Sequence, residues 1–269
     1  MFDKIKMFKY FPWLRAVTPI MIAVIILTLI ITELPRRPKV EVIEEDLPIK
    51  VELGELKKIR KLEDFENSKI VALTFDDGPS DQTSRLLDML KAKDVKVTFF
   101  ALGNRALAYP ELIKREADEG HEVESHTASH TELTKLTEAG VREEIDSAKN
   151  AICGAEGRAE CISYVRPPYG SINGVVQRVA NVPLMLWSVD SEDWRSRDAN
   201  SIRDRVMSTV FDGAVILMHD VYESIVTGAE WVIDELKKED YEFVTVDDMV
   251  NLRASGQLEP GRAYGRFER

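Results

Sequence analysis

From Lys69 onward the chain alternates short apolar, β-rich runs with segments whose apolar residues recur at helical spacing. Strict alternation of this kind points to a parallel sheet with its helices packed outside. Candidate strands lie at 70–76, 96–102, 121–126, 163–166, 184–190, 214–219 and 242–246. Helical spacing fills 81–93, 109–119, 137–151, 172–180, 199–210 and 227–239, with Pro110 near one helix start and Gly120 just past its end, as helix termini prefer. Seven strands predict a closed or nearly closed (β/α) barrel, and a doubly wound open sheet is the alternative. The positions of the chemistry-bearing residues favour the barrel. Asp76 with Asp77, His126, Arg166, Asp190 with Asp193, and His219 all fall at the C-terminal ends of different strands. That rim is where such barrels assemble their sites.

The segments before the barrel have a different character. Ala16 to Thr32 is an uncharged run rich in Ile, Leu and Val, and with Phe11, Trp13 and Leu14 it approaches the ~20 residues of a bilayer span. Tyr10 and Trp13 suit an interfacial belt, Arg15 can snorkel, and Pro19 falls near the start of the span. A cleaved signal peptide or a buried core helix is the alternative, although Ile31 to Pro35 offers no small-x-small cleavage site. Basic residues flank both sides, Arg36, Arg37 and Lys39 on the far one, so charge alone barely sets the orientation. The expected division is an N-terminal tip and transmembrane anchor at 1–34, a charged, Pro-containing stalk at 35–68, the catalytic barrel at 69–252 and a tail at 253–269.

Residues 1–32 carry a net +3 from Lys4, Lys6, Lys9 and Arg15 against Asp3, which leaves −14 of the overall −11 on the remainder. An acidic body of this kind argues against a nucleic-acid partner, which needs a basic face. A neutral or cationic glycan meets no such repulsion. Cys153 and Cys161 are the only cysteines, and their spacing fits a small disulfide loop in an oxidising compartment, with two free thiols as the alternative.

The residues with the clearest chemistry follow the apolar run Ile70 to Leu73, where Thr74 to Ser80 reads Thr-Phe-Asp-Asp-Gly-Pro-Ser. Two adjacent carboxylates at the mouth of a buried strand repel each other and resist desolvation, so a bound cation is the expected counter-charge. Ser125 to His130 reads Ser-His-Thr-Ala-Ser-His and holds two of the chain's four histidines. Two imidazoles and one carboxylate make a three-ligand set that leaves metal positions open for water and substrate. A metal-dependent hydrolase is the reading these residues support. A helix cap for the aspartates and a plain core or surface role for the histidines are the structural alternatives.

Together with Arg-Pro-Pro-Tyr-Gly (166–170), Asp-Ser-Glu-Asp-Trp (190–194) and Leu-Met-His (217–219), these segments resemble, in order, the polysaccharide deacetylases of carbohydrate esterase family 4, the NodB-homology group. The resemblance spans roughly residues 69–250. It implies a distorted (β/α)7 TIM-like barrel that removes N- or O-acetyl groups from glycans. Asp77, His126 and His130 would hold a divalent metal, usually zinc in that family, and Asp76 would be the general base. Arg166 would orient Asp76 and hold it ionised, and the Tyr169 backbone N–H, on a turn stiffened by Pro167 and Pro168, would stabilise the oxyanion. His219 would be the general acid, with Asp193 or Asp190 as its partner. Trp194 and Leu217, with Pro168 and Tyr169, would contact the substrate. Before His126 this chain has Glu124-Ser125 where the family commonly has Gly-Asn, and Glu124 could face outward or perturb the metal site. His121, at the opposite end of its strand, reads as structural. The expected protein is thus a membrane-anchored, extracytoplasmic N-deacetylase of N-acetylglucosamine in peptidoglycan or a related cell-surface polymer. The rivals are an inactive glycan-binding module and a metal-dependent amidase for a non-acetyl bond.

Overall fold

A computed structural model describes residue 65 and residues 67–268. The anchor at 1–34 and nearly all of the stalk lie outside the described residues, and among the described residues no helix is long and apolar enough to cross a membrane.

The elements run β1 (Lys69–Asp76), α1 (Thr83–Lys93), β2 (Thr98–Ala101), α2 (Gly103–Ala108), α3 (Pro110–Asp118), β3 (Glu122–Ser125) and α4 (Glu138–Glu156). After these come α5 (Gly174–Val179), β4 (Leu184–Met185), β5 (Val189–Asp190), α6 (Asp193–Ser196), α7 (Ala199–Met207) and β6 (Ala214–His219). The chain ends with α8 (Ser224–Lys238), β7 (Tyr241–Phe243), α9 (Val246–Arg253) and β8 (Ala263–Tyr264).

The sheet is parallel in the order β3-β2-β1-β6-β5, and bridges from Ser125 to Val165 and from Val165 to Leu184 continue it to β4. Three of the expected strands are modified. The segment 163–166 pairs only at Val165, which bridges Ser125 on one side and Leu184 on the other, because Pro167 and Pro168 remove the next donors. The stretch 184–190 divides in two. Its first half pairs with Val165 and β8, and its second half with β6, so this one segment closes the ring by bending from one neighbour to the other. β7 is short and pairs with the first residues of β1, on the edge that β2 occupies further along. The ring is a barrel with irregular closure. The expected helix at 109–119 is α3, and a short helix that was not expected, α2, precedes it and ends at Tyr109 before Pro110. The tail does not hang free: β8 pairs with β4, Arg266 bridges to Ala214, and Phe267 is buried.

Alternation along the strands sorts the core. Val71, Leu73, Phe75, Phe99, Ile216 and Met218 face outward onto α1, α7 and α8, whose Leu86, Leu90, Val206 and Ile233 complete that cluster. Ile70, Ala72, Phe100, Tyr164, Met185 and Val215 face the barrel interior, which α9 closes with Met249 and Val250. A period of two then fixes the last inward residue of each strand. Asp76, His126, Arg166 and His219 share the inward parity of Ala72, Phe100, Tyr164 and Val215, so the site is set by strand register.

Cys153, on α4, is bonded to Cys161 eight residues on, which ties the end of α4 to the segment that leads into Val165. Closing a loop of this size is worth about 2–3 kcal/mol by chain entropy. Cys153→Ser is therefore expected to lower the unfolding free energy by about that amount in urea denaturation, and wild type under reducing conditions should match the variant.

Candidate active site

β1 delivers both aspartates and then must turn. Asp76 ends the strand with an extended backbone, whereas Asp77 is left-handed (φ 73°), a conformation that Asp and Asn tolerate better than most residues. The strand therefore carries Asp76 inward while the turn carries Asp77 sideways. His126 continues the β2–β3 ladder, its N–H donating to Ala101 O at 2.8 Å. The loop to His130 turns on two more left-handed residues, Thr127 (φ 70°) and His130 (φ 63°). Glu144 of α4 holds that loop, accepting from the N–H groups of Ala128 and Ser129 at 3.1 and 3.0 Å. Gly103 permits the close approach of α4, since a Cβ there would lie 2.8 Å from Ala148 Cα and 3.2 Å from Ala128 Cα.

These turns bring Asp77, His126 and His130 together with one ligand atom each, all within 4.8 Å of one another. Asp77 Oδ1 lies 3.5 Å from Nε2 of each histidine. That oxygen is closed off from solvent and accepts no hydrogen bond. A buried, unsatisfied carboxylate oxygen facing two imidazole nitrogens is what a metal ligand set looks like without its ion. The histidine protonation agrees. His126 Nδ1 sits 2.7 Å from the Arg166 carbonyl, which can only accept, so the proton is on Nδ1 and the Nε2 lone pair faces Asp77. Burial lowers its pKa to about 3, despite the pull of Asp77, so the ring is neutral. The residues fit a divalent cation with mixed nitrogen and oxygen ligands.

Asp76 is buried beside this set. Arg166 Nη1 donates to its Oδ1 at 2.6 Å, and Oδ2 lies 3.6 Å from His126 Nε2. Arg166 is not a surface ion pair but fully buried. Its other donors reach Thr74 Oγ1 (2.8 Å), Met185 O (3.1 Å) and Leu186 O (3.1 Å), and its guanidinium lies 3.8 Å over the Phe100 ring. Burial raises the Asp76 pKa against the opposing pull of Arg166 and His219.

His219, at the end of β6, answers the question that the sequence leaves open. Its Nδ1 and its backbone N–H meet the two carboxylate oxygens of Asp193, each at 2.7 Å. Asp190 instead accepts from Glu192 N–H at 2.8 Å and shapes the turn. Burial alone would lower the His219 pKa, but the Asp193 hydrogen bond and charge, aided by Asp76 and Asp77, raise it to about 9.

The expected substrate contacts are placed less uniformly. Tyr169 is left-handed (φ 60°), and its ring meets the His130 ring edge-on at 4.7 Å. Pro168 is buried beneath that turn. Leu217 is buried on the inward face of β6, two residues before His219. Leu107, Tyr169 and Trp194 are exposed by 73, 66 and 49%, the only exposed large hydrophobics among the described residues, and each follows the C-terminal end of a strand or bridge. His121 is at the far end of β3, where its Nδ1 accepts from Val97 N–H at 3.2 Å.

Two supporting residues, Glu144 and Asp220, lie outside the motifs, and a third, Thr74, opens the first motif without a role assigned to it there. Glu144 anchors the histidine loop, and Thr74 buttresses Arg166 from the inward face of β1. Asp220 is buried next to His219, where it accepts from Thr83 Oγ1, while its carbonyl accepts from Ser80 Oγ at 2.5 Å. It ties the loop after Asp77 to β6. Helical or strand parity around the motifs could have pointed to Thr74. Nothing in the spacing identifies the other two.

The comparisons with known proteins agree with this geometry. A model of the polysaccharide deacetylase family matches residues 64–183. The peptidoglycan-N-acetylglucosamine deacetylase PgdA of Listeria monocytogenes is 37% identical over 219 residues, covering 81% of this chain and 44% of that protein. The peptidoglycan-N-acetylmuramic acid deacetylase PdaC of Bacillus subtilis is 39% identical over 188 residues, covering 70% of this chain and 40% of that protein. A solved structure described as T48 deacetylase with substrate is 38% identical, with a TM-score of 0.70, over 76% of this chain and 99% of that one. The chain thus spans less than half the length of the two curated relatives.

Proposed function

As the chain belongs to the polysaccharide deacetylase family, we propose that it is a metal-dependent hydrolase that removes the N-acetyl group from N-acetylglucosamine of a cell-surface glycan, peptidoglycan first. The observation that carries this reading is the unsatisfied Asp77 Oδ1, 3.5 Å from both His126 and His130, beside a buried Asp76–Arg166 pair and an opposed Asp193–His219 pair. A divalent cation held by Asp77, His126 and His130, with zinc as the proposed ion, supplies Lewis-acid polarisation of the acetyl carbonyl and eases deprotonation of water.

The chain's own groups divide the rest of the work. Arg166 occupies Asp76 Oδ1, leaving Oδ2 on the metal side to accept the proton of the attacking water. Water oxygen bonds to the acetyl carbon, and the C–N bond breaks. The Nε2–H of charged His219 goes to the departing nitrogen, leaving acetate and a free amine. Asp193 fixes the ring through Nδ1 and keeps it charged. Tyr169, on its left-handed turn against His130, is placed to offer its N–H to the developing oxyanion. Trp194, Leu217 and Pro168 supply apolar contact for the acetyl methyl and sugar. The retained base, acid and ligand set favours catalysis over an inactive glycan-binding module. The anchor at 16–32 keeps its place as a proposal, with the barrel outside the cell membrane beside its substrate.

The test is acetate release by the full chain from N-acetylglucosamine polymers, from peptidoglycan and from N-acetylmuramic acid units, since PdaC is named for the last. Chelator should abolish release and zinc should restore it. A protein that binds zinc and glycan but releases no acetate would favour the binding-module reading, and cleavage only of non-acetyl amides would favour the amidase.

A pH prediction follows from the acid. His219 acts only when protonated and its pKa stands at about 9, so activity should fall as pH rises through about 9. Asp193→Asn removes the strongest raising partner, so burial, which lowers the pKa, is opposed only by the charges of Asp76 and Asp77. The alkaline limb of kcat should move to lower pH, away from about 9. The stability linkage has the same sign. A histidine raised in the folded state contributes stability that is complete below about pH 6.5 and lost as pH rises through about 9. In the variant this dependence should shrink in denaturation curves taken across that range.

A further inference from the structure

Glu124 stands where the family pattern commonly has glycine, and it neither faces outward nor reaches the metal set. It lies on the inward face of β3, 2% exposed, two residues before His126. Its Oε2 accepts two backbone N–H groups, from Ser163 at 2.9 Å and Tyr164 at 2.8 Å. Those two residues precede the bridges at Val165 and belong to no strand. The carboxyl therefore takes the N–H groups that a full strand would have committed to a ladder, and buried N–H groups need such a partner.

What this segment carries makes the substitution consequential. Arg166 follows directly, its N–H on Ser125 O at 2.8 Å. Its side chain holds Asp76, and its carbonyl takes the proton of His126 Nδ1 at 2.7 Å. One short segment thus sets the orientation of both the base and a metal ligand. We propose that Glu124 is a positioning residue of this chain, whose carboxyl oxygen replaces the missing strand pairing at Ser163 and Tyr164 and thereby fixes Arg166 and, through the Arg166 carbonyl, the ring of His126. The inference rests on the proposed metal site but not on the reaction performed there. Both hydrogen bonds use a single oxygen, Oε2. A neutral side chain with a carbonyl oxygen in the same place therefore suffices.

The experiment compares Glu124→Gln, which keeps the acceptor, with Glu124→Met, which keeps the length and apolar burial but not the acceptor. Zinc affinity is measured by titration of the metal-free full chain, and amide hydrogen exchange is followed at Ser163 and Tyr164. Neither readout requires deacetylase activity, so failure of the proposed reaction and failure of this inference are distinguishable. Glu124→Gln is expected to stay within about twofold of wild type in zinc affinity and to keep both amides protected. Glu124→Met is expected to bind zinc about tenfold or more weakly, the scale of losing an outer partner of a metal ligand, and to exchange both amides faster. Where activity is measurable, kcat should fall with KM unchanged. A folded Glu124→Met with wild-type zinc affinity and protection overturns the proposal, as does a Glu124→Gln impaired to the same degree. If Glu124→Met does not fold, Glu124→Gln decides: wild-type values support the role and a tenfold loss overturns it.

Discussion

Asp77→Asn is expected to weaken zinc binding by more than about 100-fold, beyond the 10–100-fold range of outer-partner loss, and to abolish metal-dependent activity without destabilising the metal-free protein. Asparagine is the informative replacement because Asp77 is left-handed (φ 73°). Alanine there would add about 1–2 kcal/mol of backbone strain and confuse the reading. The amide keeps the shape but removes the charge that pairs with a cation. In the metal-free chain that charge has little compensation. Asp77 Oδ1 is buried without a hydrogen bond, next to the carboxylate of Asp76. Neutralising it removes a repulsion, so stability without metal should be unchanged or slightly higher. With zinc present the order should reverse, since only wild type gains stability from the bound ion. Denaturation with and without zinc separates these cases. If zinc stabilises wild type and the variant equally, Asp77 is not a ligand.

The same residue illustrates how far the sequence could be read. Two aspartates after an apolar strand advertise their own electrostatic problem, and two histidines four apart on another strand end advertise a solution. Short-range order was enough, because strand parity and a single turn place each of these groups. Closure of the ring was not legible in the same way. Residues 184–190 look like one strand, yet the chain bends there because its two halves serve different neighbours. Nothing local in Leu184 to Asp190 encodes that. The segment 163–166 looks like a strand and is reduced to the bridges at Val165, with Glu124 of the neighbouring β3 supplying an acceptor. The tail likewise carries no pattern that assigns it a partner, while Phe267 is buried and β8 lines β4. The choice between Asp190 and Asp193 depended on a left-handed turn at Glu192 (φ 52°) that points one inward and uses the other as a cap. Contacts remote in sequence decided each of these, and a pattern of neighbours does not contain them.

Asp76→Asn tests the chemistry independently of the metal. The variant is expected to lose about 100- to 10,000-fold in kcat, the range for removal of a general base, while its zinc affinity stays near that of wild type. Asp76 lies behind the ligand set, and its Oδ1 is committed to Arg166 at 2.6 Å. Asparagine can still accept that hydrogen bond but cannot take a proton from water. Loss of activity through unfolding is distinguished by denaturation curves taken beside the assay. Burial raises the folded Asp76 pKa, so its contribution to stability is present at low pH and is lost as pH rises through the folded value. The amide mimics the protonated form but leaves the buried Arg166 guanidinium without its counter-charge, so these two effects on the stability of the metal-free variant oppose each other. A protein that is folded, zinc-loaded and inactive, with the acid limb of its pH profile gone, is the expected outcome. Retention of more than a tenth of wild-type kcat would place the base elsewhere. His219 would then be the remaining candidate, and its pairing with Asp193 would have to serve both proton transfers.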